Sequence, residues 1–270
     1  MTNTLNAATN AAAANDLLAK VLDTEDTTPE PAKITAPSEI EVLLPGGYVT
    51  TAGEVHRTAT VRELTGKDEE VIVRGGNTSK VFSTILQRGT IAIGGVPVTE
   101  ELLDNLLIGD REAILLGIYR MTFGDVAELG AWCGGCGNQK VVGVNIQEDI
   151  KTKALVDPIE DRKFMVQGRK NEFLVALPTG MTEKKVANSL DANPAEALSI
   201  LLENTVVTID GRNVITKAQV QNLGVVDRRT IADEIAARNP GPQFEDITVS
   251  CPDCEGEVRV PISLGTLFRF

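Results

Sequence analysis

The sequence predicts an α+β protein formed by tandem duplication of a helix-plus-hairpin unit, each copy ending in a zinc-ribbon-like Cys-x-x-Cys knuckle. Three observations predict it. Short β-rich runs closed by turn dipeptides alternate with capped amphipathic helical stretches along the chain. Ordered landmarks recur at a nearly constant spacing. The four cysteines fall as two pairs, Cys133/Cys136 and Cys251/Cys254, one pair near the end of each copy.

The landmarks set the copies. Thr90-Ile91-Ala92-Ile93-Gly94-Gly95 resembles Val206-Val207-Thr208-Ile209-Asp210-Gly211 at an offset of 116. Asp110-Arg111-Glu112 aligns with Asp227-Arg228-Arg229 at 117, and the cysteine pairs align at 118. Leu43-Leu44-Pro45-Gly46-Gly47 resembles Ala176-Leu177-Pro178-Thr179-Gly180 and opens each copy, but at 133. That gap assigns about 16 extra residues to the first copy, in a hairpin from Gly46 to Leu64. The predicted organisation is a flexible N-terminal arm at 1–38, a first repeat at 39–146, a linker at 147–170 and a second repeat at 171–270.

Each element has a local cause. The arm is rich in Ala, Asn and Thr, then in proline at Pro29, Pro31 and Pro37, and this composition buries too little to offset its ordering entropy. Within it, Asn15 or Asp16 can cap a short helix with Leu17, Leu18 and Val21 on one face, so the arm is either disordered or folds on a partner. In the first copy, Glu41–Leu44 and Val55–Leu64 read as strands, and Thr65 with Asp68 or Glu69 as a capping box. Ser79–Gln87 reads as helix and Thr90–Ile93 as strand, with Thr99 capping the next helix. Asp110 is the predicted N-cap of a helix with Ile114, Leu115, Ile118 and Met121 in one apolar stripe. Val126–Trp132 and Lys140–Ile146 flank the first knuckle. In the second copy, Asn193 caps a helix with Pro194 in its first position, Thr205–Ile209 is a strand, and Thr216 and Asp227 cap two further helices. Phe244–Ser250 and Gly256–Leu264 flank the second knuckle. Residues 147–170 are charged with little periodicity.

Composition restricts the function classes. The chain has 270 residues, 42% of them hydrophobic, enough for two ordinary cores. Its net charge of −12 argues against a surface that tracks phosphates, so nucleic acid is an unexpected partner and proteins are expected ones. No stretch approaches the roughly 18 apolar residues of a membrane span, and no signal segment opens the chain. The expectation is a soluble, intracellular protein, in which paired cysteines favour metal over a disulfide framework.

Cys133, Cys136, Cys251 and Cys254 supply the four thiolates of a closed structural zinc site. Free buried thiols and a redox Cys-x-x-Cys are the alternatives, although a redox pair belongs at a helix N-terminus rather than in a hairpin. If the copies pack about a pseudo-twofold axis, one structural zinc bridges all four. No catalytic residues are predicted. A catalytic zinc usually keeps three ligands and an open position. The single histidine, His56, reads as an exposed hairpin residue, Arg74-Gly75-Gly76-Asn77 lacks the Lys-Ser/Thr of a nucleotide loop, and Asp68-Glu69-Glu70 reads as a solvated first turn. Trp132 either shields the sulfurs or packs in the core. Phe268 and Phe270 either cover the last strand or dock into a neighbour, so they join the arm as candidate docking segments.

The Leu-Pro-Gly-Gly hairpin, the run Thr60–Glu70 (TVRELTGKDEE) and Leu107–Leu116 (LIGDREAILL) before a Cys-x-x-Cys hairpin resemble tailed-phage baseplate or tail-hub assembly proteins, specifically the T-even-type baseplate hub assembly chaperone family. The resemblance covers about residues 41–146. It implies a small non-enzymatic protein of the virion tail or its assembly line. Its partners would be other phage tail or baseplate proteins, and its location the host cytoplasm during assembly or the virion baseplate. Only the cysteine pairs carry over as functional positions, as metal ligands. The second copy departs from the single unit associated with that family. The competing reading is a zinc-ribbon protein–protein adaptor unrelated to tails, which a basic or aromatic face on the ribbon would favour; neither knuckle sequence offers one.

Overall fold

The computed structural model describes residues 12, 15, 35–75, 78–190, 193–213 and 216–268. Asp16, Leu17, Leu18 and Val21 of the arm's predicted helix, Gly76-Asn77 and Phe270 lie outside the described residues. The fold is mixed α and β, with antiparallel sheets.

The first half opens with β1 (Glu39–Val49) and β2 (Val55–Arg62), paired from Glu39↔Arg62 to Val49↔Val55. Helices α1 (Gly66–Val73) and α2 (Thr78–Gly89) follow, then β3 (Thr90–Ile93) and β4 (Val96–Pro97), giving a sheet ordered β1-β2-β3-β4. After α3 (Glu100–Asn105) and α4 (Ile108–Phe123) comes the hairpin β5 (Val126–Trp132) and β6 (Gln139–Asn145).

The second half runs through the same succession. Strands β8 (Lys163–Gln167) and β9 (Glu172–Ala176) precede α6 (Gly180–Leu190) and α7 (Pro194–Thr205). Strands β10 (Val206–Ile209) and β11 (Arg212–Asn213) complete a sheet ordered β8-β9-β10-β11. Helices α8 (Lys217–Gln221) and α9 (Val225–Arg238) lead to the hairpin β13 (Ile247–Ser250) and β14 (Glu257–Val260), and a last turn, α10 (Leu264–Leu267), closes the described chain.

The caps expected at Thr65, Thr99, Asn193 and Thr216 form, two of them as reciprocal capping boxes. Asp110 and Asp227 are not N-caps. Leu107 and Gly224 hold those positions, and each aspartate sits in the first turn with its carboxylate turned inward. Asp110 accepts the Gly46 amide at 2.6 Å and Asp227 the Arg169 amide at 2.8 Å, so each ties its helix to the opening hairpin of its own half. Helix α4 carries more than the expected stripe: Ala113–Tyr119 is apolar and buried on every side, and the first turn buries Asp110 and Arg111 as well. Glycine makes this possible, because a Cβ on Gly109 would strike the Pro240 carbonyl and one on Gly117 the Val42 side chain.

Three expectations are corrected. The two Leu-Pro motifs occupy different places: Leu44-Pro45 lies inside β1, whereas Leu177-Pro178 follows β9, a second strand. The segment in the matching place is Leu64-Thr65-Gly66, after β2 and entering α1, 114 residues before Thr179-Gly180. The longer opening hairpin of the first half comes mainly from longer strands. Residues 147–170 are not a bare linker. They contain most of α5 (Ile146–Asp149), β7 (Thr152–Lys153) paired to β12 (Gly241–Pro242), the buried Leu155, and β8, where half-buried Phe164 and buried Val166 flank the exposed Met165 between Lys163 and Gln167.

The third correction concerns packing. The second sheet and its helices surround their own core of Val166, Phe173, Val175, Leu202, Val206, Val220, Ile231 and Ile235. The C-terminal hairpin leaves that core and sets Val258, Val260 and Ile262 into the first one, beside Leu129, Ala131 and Val144 of β5–β6. Phe268 joins it there, edge-on to Phe82 at 6.0 Å and Tyr119 at 5.4 Å, so this residue covers the chain's own core. The range 171–270 is thus divided between two cores.

Candidate metal centre

Both knuckles are hairpin turns with the same backbone pattern. The Cys133 amide donates to the Asn138 carbonyl at 3.0 Å, and the Gly137 amide to the Cys133 carbonyl at 3.0 Å. In the second turn the Cys251 amide donates to the Gly256 carbonyl at 2.8 Å, and the Glu255 amide to the Cys251 carbonyl at 2.9 Å. The residue after the second cysteine is left-handed in both, Gly137 with φ 70° and Glu255 with φ 58°. Glycine adopts that conformation readily, and Glu255 does so at a steric cost.

The turns face each other. Cys133 pairs with Val258, and the Gly134 amide reaches the Glu257 carbonyl at 3.4 Å. All four sulfurs lie within 4.8 Å of one another. Cys133 and Cys254 are 3.5 Å apart and Cys136 and Cys251 3.9 Å, and all four thiols are free of disulfides. Zn–S bonds of about 2.3 Å at tetrahedral angles place sulfurs about 3.8 Å apart. The four predicted ligands are therefore close enough to hold one metal ion.

Four thiols this close cannot all ionise without a cation. Amide hydrogen bonds from Cys136 and, despite some burial, from Gly135 hold the Cys133 thiol down at about 6. At Cys254 the Gly256 amide favours the thiolate, but the hydrogen bond to Cys133, burial and the other sulfurs outweigh it and push the thiol up to about 11. A bound cation removes this repulsion and requires every ligand deprotonated. Lys140 supplies positive charge beside the cluster. Its ammonium pairs with Asp253, which lies between Cys251 and Cys254, and it also feels the Cys251 and Cys136 sulfurs.

Lys140 and Asp253 escape sequence reasoning because a Lys-Asp contact 113 residues apart has no local signature. Trp132 shields nothing: it points outward from β5, 69% exposed. His56 is half-buried rather than exposed, stacked on Tyr48 with ring centroids 6.3 Å apart.

A second seam joins the halves away from the sulfurs. The Gly180 amide donates to the Leu106 carbonyl at 2.9 Å, and buried Arg111 donates to Glu183 at 3.0 Å. Lys184 pairs with Glu100 and Asp104. Arg111, Glu183, Lys184, Glu100 and Asp104 line a cleft of ≈ 1220 Å³ in which these charges already answer one another. Nearby, Glu112 has its carboxyl pushed up to about 7, first by burial and then by the charge of Glu183.

Among the described residues no helix is long and apolar enough to cross a membrane. Comparison with protein-family models, with curated proteins and with solved structures returned no match.

Proposed function

We propose that the chain is a non-catalytic structural or assembly protein in which one zinc ion, held by Cys133, Cys136, Cys251 and Cys254, clamps two duplicated units together. The observation that carries this reading is the convergence of four sulfurs from turns 118 residues apart. An all-thiolate set at tetrahedral spacing suits zinc, and four protein ligands leave no open position for substrate or water. Duplication is supported by the common element order, the matching sheet order and the shared turn hydrogen bonds. The offsets then rise smoothly, from 114 at Thr65/Thr179 through 116 and 117 to 118 at the cysteines.

The resemblance of residues 41–146 to baseplate hub assembly chaperones directs this clamp toward a phage tail, as an assembly factor or a baseplate part. Elemental analysis of the purified chain should return one zinc per molecule; two or none defeats the clamp. Quantitative mass spectrometry of purified virions should find the chain at fixed copy number if it is a baseplate part. If it is a chaperone, the chain should appear in assembly intermediates and not in finished particles. Absence from both ends the tail reading. A zinc-ribbon adaptor is the second reading, and exposed Trp132 beside the first knuckle favours it.

A further inference from the structure

The two knuckle hairpins make the same turn but present different outer faces. Trp132 and Ser250 each precede the first cysteine of their pair, Gly130 and Thr248 lie three residues before it, and Val141 and Arg259 lie five residues after the second cysteine. All six face outward. Ser250, Thr248 and Arg259 show that the turn itself needs nothing apolar there. The first hairpin nevertheless exposes Trp132 at 69%, Val141 at 72% and, further along β5, Val126 at 55%. Gly130 and Gly143 keep the face between them low. Clustered exposed apolar groups of this kind mark interaction surfaces.

The surroundings indicate what covers the face. Beside Trp132 the knuckles enclose a concavity of ≈ 380 Å³, with Gly134, Gly135 and Gly256 leaving backbone at its wall and Glu257 and Arg259 at its side. Glu128 stands exposed on the same face of β5, and Glu255 is exposed at the second turn. The Lys140 ammonium is already engaged by Asp253, and the whole chain carries −12. An exposed indole with Glu128 on its own strand face, and with Glu257 facing the one cation Arg259 at the adjoining concavity, attracts Lys or Arg through the ring face and by the net negative charge of the chain. We propose that the Trp132 face of the β5–β6 hairpin docks a positively charged protein segment that carries aliphatic side chains. The charges bring the segment in, and Val126, Val141 and the indole bury its aliphatic groups. This docking does not depend on which metal the thiols hold.

Trp132 is the only tryptophan, so its fluorescence reports on this face without a label. The metal-loaded full chain is titrated with a synthetic peptide of alternating arginine and valine, with a glutamate–valine counterpart, and with a thymidine oligonucleotide. The basic peptide should give a saturable change in Trp132 emission. Val141→Arg keeps the reporter and installs the residue found at 259; it should weaken binding about 30-fold, as expected of a central contact. Glu128→Lys should weaken it as well, and Trp132→Ser, followed by calorimetry, should match Val141→Arg. Zinc content and circular dichroism establish that each variant folds, and Glu128→Lys carries the test if Val141→Arg does not. No saturation by about 1 mM peptide overturns the proposal. So does equal binding of the acidic peptide or unchanged affinity in the folded variants. Oligonucleotide binding, or self-association abolished by Val141→Arg, overturns it too, since the face then belongs to nucleic acid or to a second copy.

Discussion

Replacing Glu112 with glutamine tests whether α4 holds this carboxyl at its own expense. In the folded chain this group titrates near 7 instead of 4.5, because burial disfavours its charge and Glu183 repels it. Between those values the folded protein keeps a proton that the unfolded chain has released. Stability contributed by the protonated group is therefore complete below 4.5, falls as pH rises through the window, and is lost above 7. At 1.36 kcal/mol per pH unit the charged form costs about 3 kcal/mol, a large share of an ordinary domain's stability. Glu112→Gln removes the charge with little change of volume. Urea unfolding should show the variant more stable by up to about 3 kcal/mol at pH 8, with the difference vanishing near pH 4.5. Comparing variant with parent at each pH cancels the metal's own pH dependence. A variant no more stable than its parent at pH 8, or a difference independent of pH, would refute the electrostatic account.

Three further outcomes follow from the packing. Cys133→Ser should abolish tight metal binding and speed amide exchange in both 126–145 and 247–260; faster exchange confined to the first hairpin would argue against a shared site. Lys140→Met should weaken zinc binding about tenfold in chelator competition, with Lys140→Arg restoring most of it, because the ammonium offsets thiolate charge and holds Asp253 of the opposite turn. Gly109→Ala should lower the thermal midpoint by more than the loss of a typical surface residue does, since its methyl would meet the Pro240 carbonyl; an unchanged midpoint would mean that β12 does not seat on α4 as described.

How much of this was legible in the sequence depended on range. Turn residues and caps act within four positions, so Thr65, Thr99, Asn193 and Thr216 announced their helices correctly. The cysteine pairs were legible because their chemistry is narrow, and the fold brings the two distant pairs into one cluster. The Leu-Pro match misled because two residues of similar type carry no information about which strand they occupy, whereas Leu64-Thr65-Gly66 also shares the step from strand to helix. Asp110 and Asp227 look like caps by composition, yet their amide partners, Gly46 and Arg169, lie 64 and 58 residues away. Strand β8 was hidden by Lys163, Gln167 and the charged turn before it. The transfer of the last hairpin to the first core leaves no local trace at all, because the same alternation of Val258 and Val260 would serve either core.

That transfer explains what a metal adds. A two-stranded hairpin with four residues in each strand is marginal alone, and β13–β14 must find its core across the whole second half of the chain. Cross-linking turns 118 residues apart removes loop-closure entropy worth about 5 kcal/mol from the open chain, more than the burial of Val258 alone returns. A disulfide would supply the same constraint through one pair of sulfurs about 2 Å apart. Here the near contacts of 3.5 and 3.9 Å both cross between the turns, and all four sulfurs lie within 4.8 Å of one another, too far apart for S–S bonds and close enough to hold one ion. The position of the ligands fits that role: each pair sits where its hairpin enters the shared core, with Cys133 and Cys251 buried in the same cluster as Val258 and Leu129. Under the proposed clamp, metal binding and hairpin docking become one event, and removing the ion with a chelator should release residues 247–260 before either sheet unfolds.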